Sequence, residues 1–252
     1  MSSRPARDSH RSGNGAVALG TELSIALDDR GGVTAPRRHV GGVETGRFTE
    51  LMIRALDVAG ATVLLILLAP ILLLVGLAIR LDSPGPAIYR QRRLGRNLEP
   101  FSVAKFRTMR EGSAADAHRR HVQQMIAGER GAARPMTKLT EDDRVTRVGS
   151  FLRRSSIDEL PQLWNVLNGQ MSLVGPRPPI GYEVEKYPSW AFRRFAVKPG
   201  ITGLWQVRGR SLLTFEEMIA LDTEYVERRS LSLNLKILVL TLPTVLHGKG
   251  AA

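Results

Sequence analysis

The stretch Val58–Ile79, VAGATVLLILLAPILLLVGLAI, is a run of 22 consecutive uncharged residues. A helix of this length spans about 30 Å of hydrocarbon, so the run predicts a membrane-embedded helix. Pro70 lies near its middle, where the proline ring removes one backbone hydrogen bond and clashes with the preceding turn. We therefore expect the helix to kink or break at Pro70, and neither arm is long enough to span a bilayer alone.

Arginines flank the apolar run on both sides. Arg47 and Arg54 precede it, and Arg80, Arg92 and Arg93 follow it. Because Lys and Arg are enriched on the cytoplasmic side of membrane helices, a simple span should show a clear imbalance between its flanks. The balance favours a re-entrant helix-break-helix anchor, which enters one leaflet and returns to the same side. Charge alone leaves one kinked spanning helix open as the alternative.

The 252-residue chain has a formal net charge of +12 and contains no cysteine. The lack of cysteine excludes a disulfide scaffold, a thiolate nucleophile, an iron–sulfur cluster and a Cys-ligated zinc site. The positive charge comes mostly from arginine and indicates an anionic partner, which is nucleic acid, anionic lipid headgroups or a phosphorylated substrate. Composition does not choose among the three.

Composition divides the chain into three parts. Residues 1–46 contain eight glycines and no aromatic residue. Because they cannot bury enough apolar surface to offset the entropy of folding, we expect a disordered leader. Residues 47–82 form the membrane anchor, with its helix broken at Pro70. Residues 83–252 form an α+β domain that is mainly helical with short strands.

Local patterns predict several elements of that domain. Short strands are expected at residues 87–90, 101–106 and 204–207. Thr214 is followed three residues later by Glu217, a spacing typical of a capping box, and predicts a helix over residues 215–229. The apolar segment 235–246 is too short to span a bilayer and is expected to lie in the membrane interface.

A second informative stretch is RRSSIDELPQLWNVLNG, residues 153–169. Its apolar residues recur at helical spacing and share one predicted face: Leu160, Leu163, Trp164 and Leu167. Gly169 suits the C-terminal end of this helix, and Pro161 must lie near its start.

This start places Asp158 and Glu159 in or next to the first helical turn, where the helix dipole stabilises negative charge. Ordinary N-terminal carboxylates are the simplest interpretation. Two features favour chemistry instead. Adjacent carboxylates point in different directions, so one could act as a nucleophile while the other holds a cation. Arg153 and Arg154 immediately precede them.

Two further stretches present arginines from constrained backbone. Gly175-Pro176-Arg177-Pro178-Pro179 is predicted to be a rigid turn, because proline fixes φ. KPGITGLWQVRGR, residues 198–210, contains Arg208 and Arg210 near its end. Arginine binds phosphate oxygens bidentately. A carboxylate pair, constrained arginines and a membrane anchor together favour phosphate-transfer chemistry at a membrane surface.

Three stretches of the sequence closely resemble the bacterial sugar transferase family, the monotopic polyprenyl-phosphate phosphoglycosyl transferases. They are AKFRTMR (104–110), SSIDELPQLWNVLNGQMSLVGPRP (155–178) and KPGITGLWQVRGR (198–210). The resemblance covers residues 48–251 with the motifs in the expected order, and the helix with Pro70 is similar to the family's re-entrant membrane helix. It implies a minimal, catalytic-core form in which residues 83–252 are the phosphoglycosyl transferase domain.

The resemblance implies a reaction that moves a sugar-1-phosphate from a UDP-sugar to polyprenyl (undecaprenyl) phosphate and releases UMP. The family's Asp-Glu dyad matches Asp158 and Glu159. Asp158 would attack the sugar-proximal phosphorus and form a covalent aspartyl-phosphosugar, and both carboxylates would hold Mg²⁺. The family's substrate-binding residues match these positions: Lys105, Arg153, Pro176, Arg177, Pro178 and Arg210.

The same resemblance implies that the chain sits in the bacterial inner membrane, with its catalytic domain facing the cytoplasm, and initiates exopolysaccharide, capsule or a similar glycan. The expected partners are the UDP-sugar, polyprenyl phosphate and membrane lipids, not nucleic acid, and a homodimer is left open. The charge of +12 motivates one alternative, a membrane-tethered nucleic-acid-binding protein, but aromatic residues are sparse. A non-catalytic scaffold of the same fold is a third hypothesis, which the intact Asp-Glu pair disfavours.

Overall fold

The computed structural model describes residues 46–110, 144–184, 187–209 and 212–246, and also two short strands near the N-terminus. These strands, β1 (Val17–Leu19) and β2 (Leu23–Ile25), pair antiparallel within the segment that the composition predicts to be disordered. Three-residue strands are too short for alternation to identify them in the sequence. The rest of the predicted leader lies outside the described residues.

The apolar run lies within a single 36-residue helix, α1 (Arg47–Asp82). Among the described residues, α1 is the one helix long and apolar enough to cross a membrane. The predicted break at Pro70 is wrong, since the helix continues through this residue. A proline removes one hydrogen bond from the helix while the neighbouring residues keep theirs, and apolar surroundings favour keeping them. Large apolar side chains in the middle of α1, including Ile66, Leu67 and Leu73, are exposed.

The N-terminal half of α1 is fixed to the domain by buried polar contacts. The Asp57 carboxylate accepts hydrogen bonds from Ser172 Oγ at 2.9 Å and from the Leu173 backbone N–H at 2.8 Å. One turn earlier, the Arg54 guanidinium donates to two backbone carbonyls at 2.7 and 2.8 Å. Ala61 is completely buried in the largest core cluster. This half of the helix is therefore part of the fold.

The C-terminal end of α1 contacts the same domain. The Asp82 carboxylate accepts a hydrogen bond from the Val148 backbone N–H at 3.1 Å. Ile79 is buried against Phe106 and Leu152 in a separate core cluster. Both ends of the apolar helix are thus held on one folded unit, while the middle of its outer face stays uncovered.

A β-hairpin follows the anchor. Strands β3 (Ile88–Leu94) and β4 (Pro100–Phe106) pair antiparallel, with Ile88 opposite Phe106 and Leu94 opposite Pro100. The hairpin confirms both predicted strands and extends the first one. The extension runs through charged and polar residues from Arg90 to Arg93, which have no apolar alternation, so the sequence pattern ends too early.

The remaining described elements complete a mainly helical α+β domain, as predicted. In chain order they are α2 (Arg147–Ser155), a 3₁₀ turn (Ile157–Glu159), α3 (Gln162–Leu167), β5 (Ser172–Val174), α4 (Gly181–Val184), a 3₁₀ segment (Ser189–Ala196), β6 (Gly200–Thr202), α5 (Leu204–Arg208), α6 (Phe215–Glu227) and α7 (Leu231–Leu246). The capping box of α6, between Thr214 and Glu217, is confirmed. In α7, Ile237 is buried while Val239 and Leu242 are exposed.

The strand predicted at residues 204–207 is wrong, because these residues begin helix α5. The strand lies just before them, in β6, which pairs parallel with β5: Ser172 is opposite Gly200 and Val174 is opposite Thr202. The two strands are joined by 25 residues of chain. A pairing over that distance leaves no local signal in either segment.

The buried contacts of Asp57 give a test of how the anchor is attached. Asp57→Ala leaves the Leu173 N–H and the Ser172 hydroxyl without an acceptor, which is expected to destabilise the protein by about 3 kcal/mol. Ser172→Ala removes one bond and should cost about 1 kcal/mol. Each kcal/mol corresponds to about 2–4 °C in Tm for a domain of this size.

Thermal unfolding in detergent, followed by circular dichroism, measures both shifts. The matched control is Glu216→Ala, which removes an exposed carboxylate from α6 and should change stability by less than about 0.5 kcal/mol. Equal Tm values for Asp57→Ala and Glu216→Ala would contradict a role for Asp57 in attaching α1.

Candidate active site

The two candidate catalytic carboxylates lie on the 3₁₀ turn Ile157–Glu159, directly before α3. Ser156, which precedes the turn, has a φ of 58° in the left-handed region. A non-glycine residue is uncommon there. This residue ends α2 and turns the chain sharply, so that Asp158 is 92% buried and Glu159 stays partly exposed. The predicted position next to the first helical turn is confirmed.

Lys105 and Glu159 form an ion pair across this turn. The distance from Lys105 Nζ to Glu159 Oε1 is 2.6 Å, and each side chain is about one-fifth exposed. Lys105 comes from β4, and more than 50 residues separate it from Glu159. The fold therefore brings the basic residue of one motif to the acidic pair of another, as the resemblance implies.

Asn165 fixes the distance between these two elements. Its Oδ1 accepts a hydrogen bond from the Ala104 backbone N–H at 3.0 Å, and its Nδ2 donates to the Ser102 carbonyl at 2.7 Å. Because Ala104 precedes Lys105, these bonds hold the lysine opposite Glu159. The sequence pattern did not single out Asn165, since a polar residue within a predicted helix carries no local sign of a partner so far along the chain.

These bonds also turn α3 away from its predicted orientation. The predicted apolar face includes Trp164, yet Trp164 is 59% exposed. The buried face is made of different residues: Gln162, Leu163, Asn165 and Val166. Asn165 must face β4 to make its hydrogen bonds, and this requirement rotates Trp164 outward.

The proline-rich turn is held by backbone contacts with β6. The Gly175 N–H donates to the Thr202 carbonyl and the Gly200 N–H donates to the Pro176 carbonyl, both at 2.9 Å. A Cβ atom on Gly200 would lie 2.0 Å from the Gly175 nitrogen, so no other residue fits at this approach. The predicted rigid turn is confirmed, and its rigidity comes from β6 as well as from proline.

Arg93 and Leu94 attach the same turn to the hairpin. The Arg93 guanidinium donates to the Pro178 carbonyl at 3.0 Å, and the Leu94 N–H donates to the Pro179 carbonyl at 3.0 Å. Burial lowers the pKa of Arg93, and the negative charge of Glu183 opposes this effect. In the sequence Arg93 lies in the basic flank of the apolar helix, but its side chain is buried.

A buried ion pair supports the turn from the other side. The Arg194 guanidinium donates to the Arg177 carbonyl at 2.7 Å and to Asp222 Oδ2 at 2.5 Å. Burial raises the pKa of Asp222 to about 6, although the charge of Arg194 acts in the opposite direction. The Arg177 backbone is thus fixed, and the pattern of charges in the sequence predicts neither Arg194 nor Asp222 as its support.

These elements line a small, open cleft. Four residues predicted for the site line it: Lys105, Glu159, Arg177 and Pro178. Asp158 is buried beside Glu159, and Arg153 and Pro176 do not line the cleft. Arg210 lies outside the described residues. Arg93, Gln162 and Gln206 also line the cleft, although the sequence did not identify them.

The carboxylates of Asp158 and Glu159 are the oxygen ligands that Mg²⁺ prefers. Among the described residues, no group of three or more His, Cys, Asp or Glu side chains could hold a metal ion. Mg²⁺ in proteins is commonly held by one or two carboxylates, with water and phosphate oxygens completing its shell. The donor set at this turn fits such a shared site and does not fit a cage made by the protein alone.

The comparison with known families decides the assignment. The model of the family described as "Bacterial sugar transferase" matches residues 48–248. The chain belongs to the bacterial sugar transferase family. The match includes the anchor, the acidic turn, the proline-rich turn and β6.

Curated relatives of this sugar transferase have related names. It is 45% identical over 199 residues to the galactosyl transferase CpsE of Streptococcus agalactiae, covering 79% of this chain and 43% of CpsE. It is 39% identical over 221 residues to the exopolysaccharide production protein ExoY of Sinorhizobium fredii, covering 86% and 92%. It is 44% identical over 207 residues to a UDP-glucose:undecaprenyl-phosphate glucose-1-phosphate transferase of Caulobacter vibrioides, covering 78% and 70%.

The attachment of the proline-rich turn can be tested at Arg93. Arg93→Met breaks the bond to the Pro178 carbonyl and should loosen the turn of this sugar transferase. We expect the amide protons of Leu94 and Gly200 to exchange with solvent at least about tenfold faster, because their acceptors belong to the turn. Hydrogen exchange with mass spectrometry measures this change.

Arg92→Met is the matched control, since Arg92 is the exposed neighbour on the same strand. It removes an equal charge without touching the turn and should leave both exchange rates unchanged. Equal exchange in the two variants would show that Arg93 does not hold the turn.

Proposed function

We propose that the chain transfers a sugar-1-phosphate from a UDP-sugar to undecaprenyl phosphate, releases UMP, and so initiates a membrane-linked glycan. The observation that carries the proposal is the cleft in which Lys105, Glu159 and Arg177 meet beside the turn that bears Asp158. The names of the relatives support the substrates, since one of them includes UDP-glucose and undecaprenyl phosphate. The sugar of this chain is not assigned.

In the proposed first step, an Asp158 carboxylate oxygen attacks the sugar-proximal phosphorus of the UDP-sugar. A new oxygen–phosphorus bond forms, the phosphoanhydride bond breaks, and UMP leaves with the bonding electrons. The product is an aspartyl-phosphosugar. In the second step an oxygen of undecaprenyl phosphate attacks the same phosphorus, and Asp158 leaves as a carboxylate. A nucleophile and a substrate that are both anionic repel each other, so nearby cations are required.

The basic residues supply that positive charge. Lys105 is held beside Glu159 by Asn165, and Arg177 projects from a turn whose backbone is fixed on both sides. Preorganised cations of this kind stabilise developing negative charge without having to move during the reaction. We assign Arg153 and Arg210 to the phosphates as well, and Pro176 and Pro178 to the wall beside the uridine.

Asp158 and Glu159 would hold Mg²⁺, which when bound neutralises part of the charge of the diphosphate. Lys105 already neutralises Glu159 Oε1. Lys105 therefore limits how much negative charge the turn presents before substrate binds.

We also propose that α1, which is continuous as a helix, bends sharply at Pro70, so that it enters one leaflet of the bacterial inner membrane and returns, with the domain facing the cytoplasm. The support is that Asp57 and Asp82, near opposite ends of the helix, both bond to the same domain. Contacts of both ends with one folded unit support a location of both ends on the same side of the bilayer. The exposed Arg80, Arg90 and Arg92 would contact anionic headgroups.

Asp158→Asn tests the proposed chemistry. The amide removes the nucleophile, so UMP release in the presence of undecaprenyl phosphate is expected to fall by at least about 10³-fold, while membrane association stays intact. With the wild-type protein and a UDP-sugar alone, mass spectrometry should find the phosphosugar attached to the peptide that contains Asp158.

Glu216→Gln, an exposed carboxylate change on α6, is the control and should keep full turnover. Full turnover in Asp158→Asn, or a phosphosugar found on Glu159, would refute the assigned nucleophile. A panel of UDP-sugars in the same UMP assay would identify the sugar.

A further inference from the structure

A second pair of cations lies beside the first turns of α1, among residues that do not line the cleft. A Cβ atom built on Gly169 would stand 3.6 Å from Lys198 Nζ and 3.7 Å from the Arg54 guanidinium. Gly169 has a φ of +75°, and no side chain at this position separates the two groups. The ammonium and the guanidinium therefore approach the same point of the backbone at the end of α3.

The positive charge of this pair is poorly compensated. Arg54 donates to backbone carbonyls, which carry no net charge. Of the two carboxylates that act on Lys198, Asp57 hydrogen-bonds β5 and Glu50 pairs with Arg229. Within the described ranges, no hydrogen bond or ion pair joins the Lys198 ammonium to a carboxylate. Burial lowers the pKa of Lys198, and the charge of Arg54 lowers it further.

The position of the pair along α1 indicates its depth in the membrane. Arg54 lies one turn before the uncharged run Val58–Ile79. In the proposed membrane arrangement, this is the level where the helix leaves water. The phosphate groups of lipids lie at this level. Arg96, which is exposed, adds a further positive charge that acts on Lys198. An anionic lipid headgroup at this depth would offset the mutual repulsion of these cations.

We propose that Lys198 and Arg54 bind the phosphate group of a membrane lipid. The proposal rests on the proposed function, because the acceptor in that reaction is itself a lipid phosphate. The Lys198 ammonium offers donors to the phosphate oxygens. Arg54, held in place by its carbonyl bonds, contributes positive charge and its remaining N–H groups. Undecaprenyl phosphate is a monoester and phosphatidylglycerol is a diester, and both present this chemistry.

Three variants separate the site from general effects of charge. Lys198→Gln removes the charge and Lys198→Arg keeps it. Arg193→Gln removes an equal charge from an exposed position on the 3₁₀ segment Ser189–Ala196 and serves as the control. Thermal unfolding of each variant shows whether it is folded.

The first measurement varies undecaprenyl phosphate in phosphatidylcholine nanodiscs and follows UMP release. We expect Lys198→Gln to raise KM for undecaprenyl phosphate by about tenfold while KM for the UDP-sugar stays the same, because one charge-assisted contact is lost. Lys198→Arg and Arg193→Gln should stay within about twofold of wild type.

The second measurement follows flotation of the protein with phosphatidylcholine vesicles that contain or lack phosphatidylglycerol. A loss confined to phosphatidylglycerol vesicles in Lys198→Gln assigns the site to the bulk phospholipid, and a change confined to KM assigns it to the acceptor. If Lys198→Gln behaves like Arg193→Gln in both measurements, the proposed site is overturned. A wild-type protein that releases no UMP overturns the proposed function instead, and flotation still tests the site.

Discussion

Two carboxylates near opposite ends of one apolar helix set the arrangement of the rest of the molecule. Asp57 accepts from β5, whose chain continues into the proline-rich turn, and Asp82 accepts from the start of α2, which leads to Ser156 and the acidic turn. Helix α1 thus contacts the two segments that lead to the walls of the cleft. In the proposed re-entrant arrangement, ends fixed to one domain would hold the cleft close to the membrane surface that α1 enters. A lipid-linked acceptor requires such a position.

The arginines that make the chain basic divide by burial into two kinds. Arg93, Arg107 and Arg194 are buried, and their guanidinium groups donate to the backbone carbonyls of Pro178, Ser83 and Arg177. A planar group with several donors can hold a loop in this way where a lysine cannot. Exposed arginines near the ends of α1 remain free to face lipid headgroups. Net charge alone suggests that the arginines bind one anionic partner. In the structure, the buried arginines instead hold the loops around the cleft.

Features with a local physical cause could be predicted from the sequence. The capping box of α6, the stop at Gly169, the rigid proline turn and the position of Asp158 and Glu159 all depend on neighbours within a few residues. The pairing of β5 with β6, the outward position of Trp164 and the role of Arg93 depend on partners far along the chain. The prediction of a break at Pro70 was wrong for a different reason. One lost hydrogen bond does not end a helix that is supported at both ends.

The central claim is that α1 begins and ends on the same side of the membrane, and cysteine labelling tests it most directly. The natural chain has no cysteine, so Arg47→Cys and Arg92→Cys each introduce a unique thiol on either side of the apolar run. A membrane-impermeant maleimide is applied to right-side-out and to inverted vesicles. The account predicts that both thiols react only in inverted vesicles, where the cytoplasmic face is outside. Reaction of the two thiols from opposite faces would show that α1 spans the bilayer and would contradict the account.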